Sequence, residues 1–142
     1  MIKSGLSEVL IRVSKWLELN LNVVIDSKPA VHVALIAIEC LIFKVEERGI
    51  WPAVLSRLMK GFVSEDRNSD KTRFYITSAS LHESGHRLVK KIVSNFDVFD
   101  ESTRKEIMNS FALDVDVLSV DRFGVEVLKT LGSGMHYELS YV

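Results

Sequence analysis

The chain has 142 residues, 47% of them apolar, with 18 basic and 19 acidic side chains and a formal net charge of -1. That size and apolar fraction suit a single domain, residues 1–142, built on one continuous core. Lysines and arginines scattered among carboxylates exclude the basic stripe with which a sequence-independent nucleic-acid binder neutralises phosphates.

The most apolar stretch, residues 30–43, contains His32 and Glu39 and is shorter than the ~20 residues a bilayer span requires, so no membrane partner is expected. The first residues lack the apolar segment and small-residue cleavage site of a secretory signal. The lone cysteine, Cys40, sits in apolar sequence and reads as a buried small hydrophobe in a reducing compartment. Cytoplasmic residence is the expectation.

Taken in chain order, Leu6, Val9, Leu10, Val13, Trp16 and Leu17 recur at three- and four-residue spacing and predict a first helix, ending near Leu19. Leu21 to Ile25 is a β-branched run, open between strand and irregular chain. Ser27-Lys28-Pro29 starts the next helix, because serine caps free amides and proline is tolerated in the first turn. That helix is predicted over residues 28–48 with Gly49 as its stop. Its middle is apolar nearly all round, which predicts a central position with other elements on every side. His32, near its start, reads as a buried, hydrogen-bonded histidine.

Trp51-Pro52 opens a third helix carrying Val54, Leu55, Leu58, Met59 and Phe62. Residues 64–71 have no apolar side chain and form a solvated loop. Residues 73–77 are a short strand or the lead-in to a helix predicted over 80–96. Asp100 or Ser102 caps a helix with Ile107, Met108 and Phe111. Residues 113–118 and 135–141 alternate apolar with polar, the period of a strand, on either side of a helix over 120–131 stopped by Gly132. The expected fold is therefore mainly α, a compact helical domain around helix 28–48, with a small sheet from 113–118 and 135–141.

One pattern carries a mechanism: His82-Glu83-Ser84-Gly85-His86 has the spacing HExxH. On a helix, histidines at i and i+4 share a face and can ligate one zinc, while the glutamate serves as base toward the bound water. Glu106 follows His82 by 24 residues. That separation resembles the distance to the third ligand in thermolysin-like zinc peptidases, which implies a zinc hydrolase with ligands His82, His86 and Glu106 and base Glu83. Glu101 and His136 are alternative third ligands. The structural alternative is equally concrete: Val89 and Val93 continue the stripe of His82 and His86, and Glu83 with Arg87 forms an i,i+4 surface pair.

No glycine-rich phosphate loop, nucleophile elbow or exposed reactive cysteine is legible in the sequence. Asp97, Asp100, Glu101, Asp114, Asp116 and Asp121 instead concentrate negative charge between residues 97 and 121, a recognition surface for a basic protein partner. The expected function is a non-catalytic protein-interaction module without a cofactor, of the inhibitor, immunity or regulatory kind, by analogy of class. The zinc hydrolase is the alternative.

Overall fold

A computed structural model describes residues 2–66 and 73–134. They form α1 (Ile2–Leu19), α2 (Leu21–Val24), α3 (Lys28–Val45), α4 (Trp51–Phe62), α5 (Tyr75–Ser80), α6 (Gly85–Ser94), a 3-10 turn (Phe96–Val98), α7 (Glu101–Leu113), α8 (Val115–Val120) and α9 (Arg122–Gly134). The fold is mainly helical, and no helix among the described residues is long and apolar enough to cross a membrane.

Side-chain caps set three of the helix starts, those of α3, α7 and α9. The Ala30 amide donates to the Ser27 hydroxyl at 3.3 Å and Pro29 sits in the first turn of α3. The Thr103 amide donates to Asp100 at 2.8 Å at the head of α7. Asp121 accepts from the amides of Phe123 and Gly124, at 2.9 and 2.8 Å, before α9. Helix α3 ends earlier than its pattern predicts, at Val45, and Arg48 and Gly49 follow with φ of 62° and 64°, turning the chain into α4. Gly132 does not stop α9, which runs through it to Gly134 with open space around its Cα.

The expected small sheet is not supported. Residues 113–118 close α7 and form α8, where the Leu118 amide donates to the Asp114 carbonyl at 3.0 Å. A strand leaves its amides to a neighbouring strand, whereas a helical turn satisfies them within the segment. Only Leu118 of this run is fully buried, while Val115 and Val120 face solvent. Residues 135–141, the other half of that sheet, lie outside the described residues, as does most of the loop at 64–71. The β-branched run at 21–25 is helical, with Leu21, Val24 and Ile25 buried. In 73–77, Phe74 makes one isolated antiparallel bridge to Glu65 before α5 begins.

The buried apolar side chains form one connected core. Helix α3 supplies Val31, Ala34, Ala37, Ile38 and Leu41, α4 supplies Trp51, Leu55, Leu58, Met59 and Phe62, and α6 supplies Leu88, Val89, Ile92 and Val93. Helix α3 packs on α1, α2, α4 and α6, but it is not enclosed. Val33, Ile36, Cys40 and Phe43 are exposed, and His32 is exposed rather than buried. Neighbouring helices cover only the stripe in which Ala34 and Ala37 permit close approach, so apolar residues on the opposite stripe stay in water.

Two glycines bring elements within backbone contact. A Cβ on Gly85 would stand 2.7 Å from the Ala79 carbonyl and 2.8 Å from that of Ile25, and one on Gly124 would stand 2.6 Å from the Leu118 carbonyl. Gly85→Ala should therefore destabilise the fold by about 2 kcal/mol or more, since overpacking against backbone has no side chain to yield. Gly132→Ala should be neutral or stabilising by up to about 1 kcal/mol, because alanine suits an open helical position better. Urea unfolding followed by circular dichroism reads both. A second prediction concerns the α7 cap. The Thr103 backbone amide, helped by the Thr103 side chain, holds the Asp100 carboxyl below its usual 3.8. A depressed folded value means that the stabilisation is complete above the unfolded value and disappears as pH falls through the folded one. Asp100→Ala should cost about 1 kcal/mol at pH 7, and the gap from the wild type should close as pH drops below about 4.

Candidate functional site

The HExxH segment does not lie along one helix. Helix α5 ends at Ser80, His82 to Ser84 form a turn, and α6 begins at Gly85. The predicted helix over 80–96 is thus interrupted, because the chain must swing the glycine against the carbonyls of Ala79 and Ile25. The two histidines take different work. His86 donates its backbone amide to the His82 carbonyl at 3.0 Å, and its ring Nδ1 lies 3.0 Å from the same oxygen. Since a carbonyl only accepts, Nδ1 carries the proton. The His86 ring also stacks on Phe123 of α9, with centroids 4.8 Å apart and planes inclined by 27°. His82 is exposed and approaches Asp26 at 3.9 Å.

Glu83 and Glu106 are exposed, and Glu106 lies on α7. No cluster of three histidine, cysteine or carboxylate side chains among the described residues is arranged to hold a metal ion, so neither Glu106 nor Glu101 is brought to the two histidines. His136, the remaining candidate ligand, lies outside the described residues. Glu83 and Arg87 do not pair; Arg87 instead lines a pocket beside α3.

Three of the six acidic residues, Asp100, Asp114 and Asp121, are tied into the fold. Asp100 and Asp121 cap helices. Glu101 pairs with Lys105 at 3.6 Å, and Asp114 lies 3.8 Å from Arg73, both of the latter largely shielded from solvent. Asp97 and Asp116 are exposed.

A further exposed surface is apolar, on residues the sequence pattern assigned to the core. Between α1 and α3 lies an open groove of about 730 Å³, lined by Leu6, Val9, Leu10 and Val13 on one wall and Val33, Ile36, Ala37 and Cys40 on the other. Leu6, Val9, Val33 and Ile36 are 66%, 59%, 47% and 52% exposed, and Phe43, in helical register with Ile36 and Cys40, is 70% exposed. Charges of both signs border it: Lys44 and Glu47, 3.4 Å apart, line its end, and Arg12 pairs with Glu8 at 2.9 Å on α1. Lys44 is further held over the Trp51 ring at 5.6 Å. The signal was present in the sequence as two apolar faces on one helix, α3, more than one core stripe can absorb.

No family model, curated protein or solved structure matches the chain. The geometry of the His86 ring predicts a structural role that His82 lacks. His86→Ala should cost about 1–2 kcal/mol, from the lost ring stacking and hydrogen bond, and His82→Ala should stay within about 0.5 kcal/mol of the wild type. Thermal unfolding of the two variants, side by side, checks the difference.

Proposed function

We propose that the protein is a non-catalytic interaction module of the cytoplasm whose α1/α3 groove receives an amphipathic helix from a partner protein. The observation that carries this reading is the groove itself. Its walls repeat at helical spacing, Val33, Ile36, Cys40 and Lys44 facing Leu6, Val9 or Leu10, and Val13. A third helix with apolar residues at i, i+3 or i+4, and i+7 would fill it as ridges fill a groove.

Shape favours a nested helix over a second copy of the chain, because the two facing walls of α1 and α3 form a concave channel rather than a flat face. A helix lying in the groove is enclosed on two sides and buries more of both partners. The mixed charges at the rim favour a partner helix that is flanked by both signs. Regulation or inhibition of the partner, in the manner of immunity-type proteins, follows where the captured helix belongs to the partner's working surface. The acidic segment is the weaker candidate surface, because Asp100, Glu101, Asp114 and Asp121 are occupied by caps and ion pairs. The zinc hydrolase has less support still, since the turn at His82 separates the roles of its proposed ligands.

The test is a selection of displayed amphipathic helices on the purified protein, followed by titration of the winners. Selected helices should carry the i, i+3 or i+4, i+7 apolar pattern, and Ile36→Asp should weaken them by about a hundredfold, the cost of desolvating a charge at an interface core. Modification of Cys40 with a bulky maleimide should block them as well. Helices indifferent to both changes would overturn the proposal. A dimer in sedimentation equilibrium that Ile36→Asp dissociates would give the groove to a second copy instead.

A further inference from the structure

Helix α3 has a second exposed side, around the corner from the groove. Lys28, His32 and Leu35, at i, i+4 and i+7, line a pocket of about 370 Å³ together with Pro29, Val31, Ser84 and Arg87. This size falls within the range of small-molecule sites, and the lining has their usual character, an apolar floor with a few polar groups converging over it.

The charge of the lining is one-sided. Lys28 and Arg87 contribute to it, His32 adds a polar ring, and no carboxylate lines the pocket. Neither Lys28 nor Arg87 forms an ion pair within 4.0 Å among the described residues. The carboxylates adjacent in sequence, Asp26 and Glu83, are outside the lining, and Asp26 lies 3.9 Å from His82. An anion entering the pocket meets two cations and no carboxylate in its lining.

We propose that this pocket binds a small phosphomonoester with an apolar substituent. A phosphomonoester carries close to two negative charges at neutral pH and several acceptor oxygens. These match a guanidinium fork, an ammonium point charge and an imidazole better than the two oxygens of a carboxylate do. The phosphate faces Lys28, His32 and Arg87, and the substituent lies on Pro29, Val31 and Leu35. The position of Gly85 builds this site: by placing the start of α6 against the Ile25 carbonyl, it carries Ser84 and Arg87 to the head of α3. No covalent chemistry is implied, and the site is separate from the α1/α3 groove.

The experiment titrates the 142-residue chain with phenyl phosphate, inorganic phosphate and benzyl alcohol, followed by amide chemical shifts. Phenyl phosphate should bind at the pocket, moving the amides around residues 28–35 and 84–88, and more tightly than either fragment alone. Lys28→Gln and Arg87→Gln should each weaken it by about tenfold, as expected for a charge-assisted hydrogen bond. Both side chains are exposed, so the variants should keep the wild-type melting temperature, and Lys105→Gln controls for the loss of one positive charge. Absence of saturable phenyl phosphate binding overturns the proposal. So does equal weakening by Lys105→Gln, which would signify general charge attraction, or shifts confined to another surface.

Discussion

The architecture around the α3 head depends on one missing side chain. Gly85 lets the first turn of α6 rest directly on the carbonyls of Ala79 and Ile25, with no room for even a methyl group. This contact ties α5, the end of the α2 segment and α6 into one joint. It forces the chain to turn between Ser80 and Gly85, and that turn separates His82 from His86 in role. It also brings Arg87 beside Lys28 and His32, so the same close approach that interrupts a metal-binding pattern assembles a cationic pocket.

Helix α3 organises the rest through its two kinds of apolar surface. Its inner stripe, with Ala34 and Ala37 between the larger Val31, Ile38 and Leu41, accepts α4 and α6 closely enough to exclude water. Its outer stripe, Val33, Ile36, Cys40 and Phe43, is exposed, and Val33, Ile36 and Cys40 join Leu6 and Val9 of α1 in an open groove. Burying such a surface is favourable by about 25 cal/mol per Å² before the cost of association. A contiguous apolar face of this kind is a characteristic of binding surfaces on otherwise polar exteriors.

A few charged residues serve the frame. Asp100 and Asp121 satisfy amides that helix geometry leaves free, and Arg73 with Asp114 links the start of α5 to the α7–α8 corner. The acidity of residues 97–121 therefore reflects a region of short helices, each needing a cap or a partner, more than a surface of uniform potential.

The sequence by itself determined the helices with local signals. Ser27 and Pro29 at α3, Trp51 and Pro52 at α4, and Asp100 at α7 are legible because a cap or a fixed φ acts within a few residues. Leu55, Leu58, Met59 and Phe62 of α4 are buried as their helical spacing predicts. Only the tertiary structure decided which face of α3 is covered, why the alternating residues 113–118 coil into helical turns, and that HExxH straddles a turn. Each of those outcomes rests on a contact between segments distant in the chain: the Gly85 approach to Ile25, the packing of Leu118 into the core, the absence of a described helix over Ile36 and Cys40. Periodicity reports how much apolar surface a segment offers, but burial depends on what the remainder of the chain brings to it.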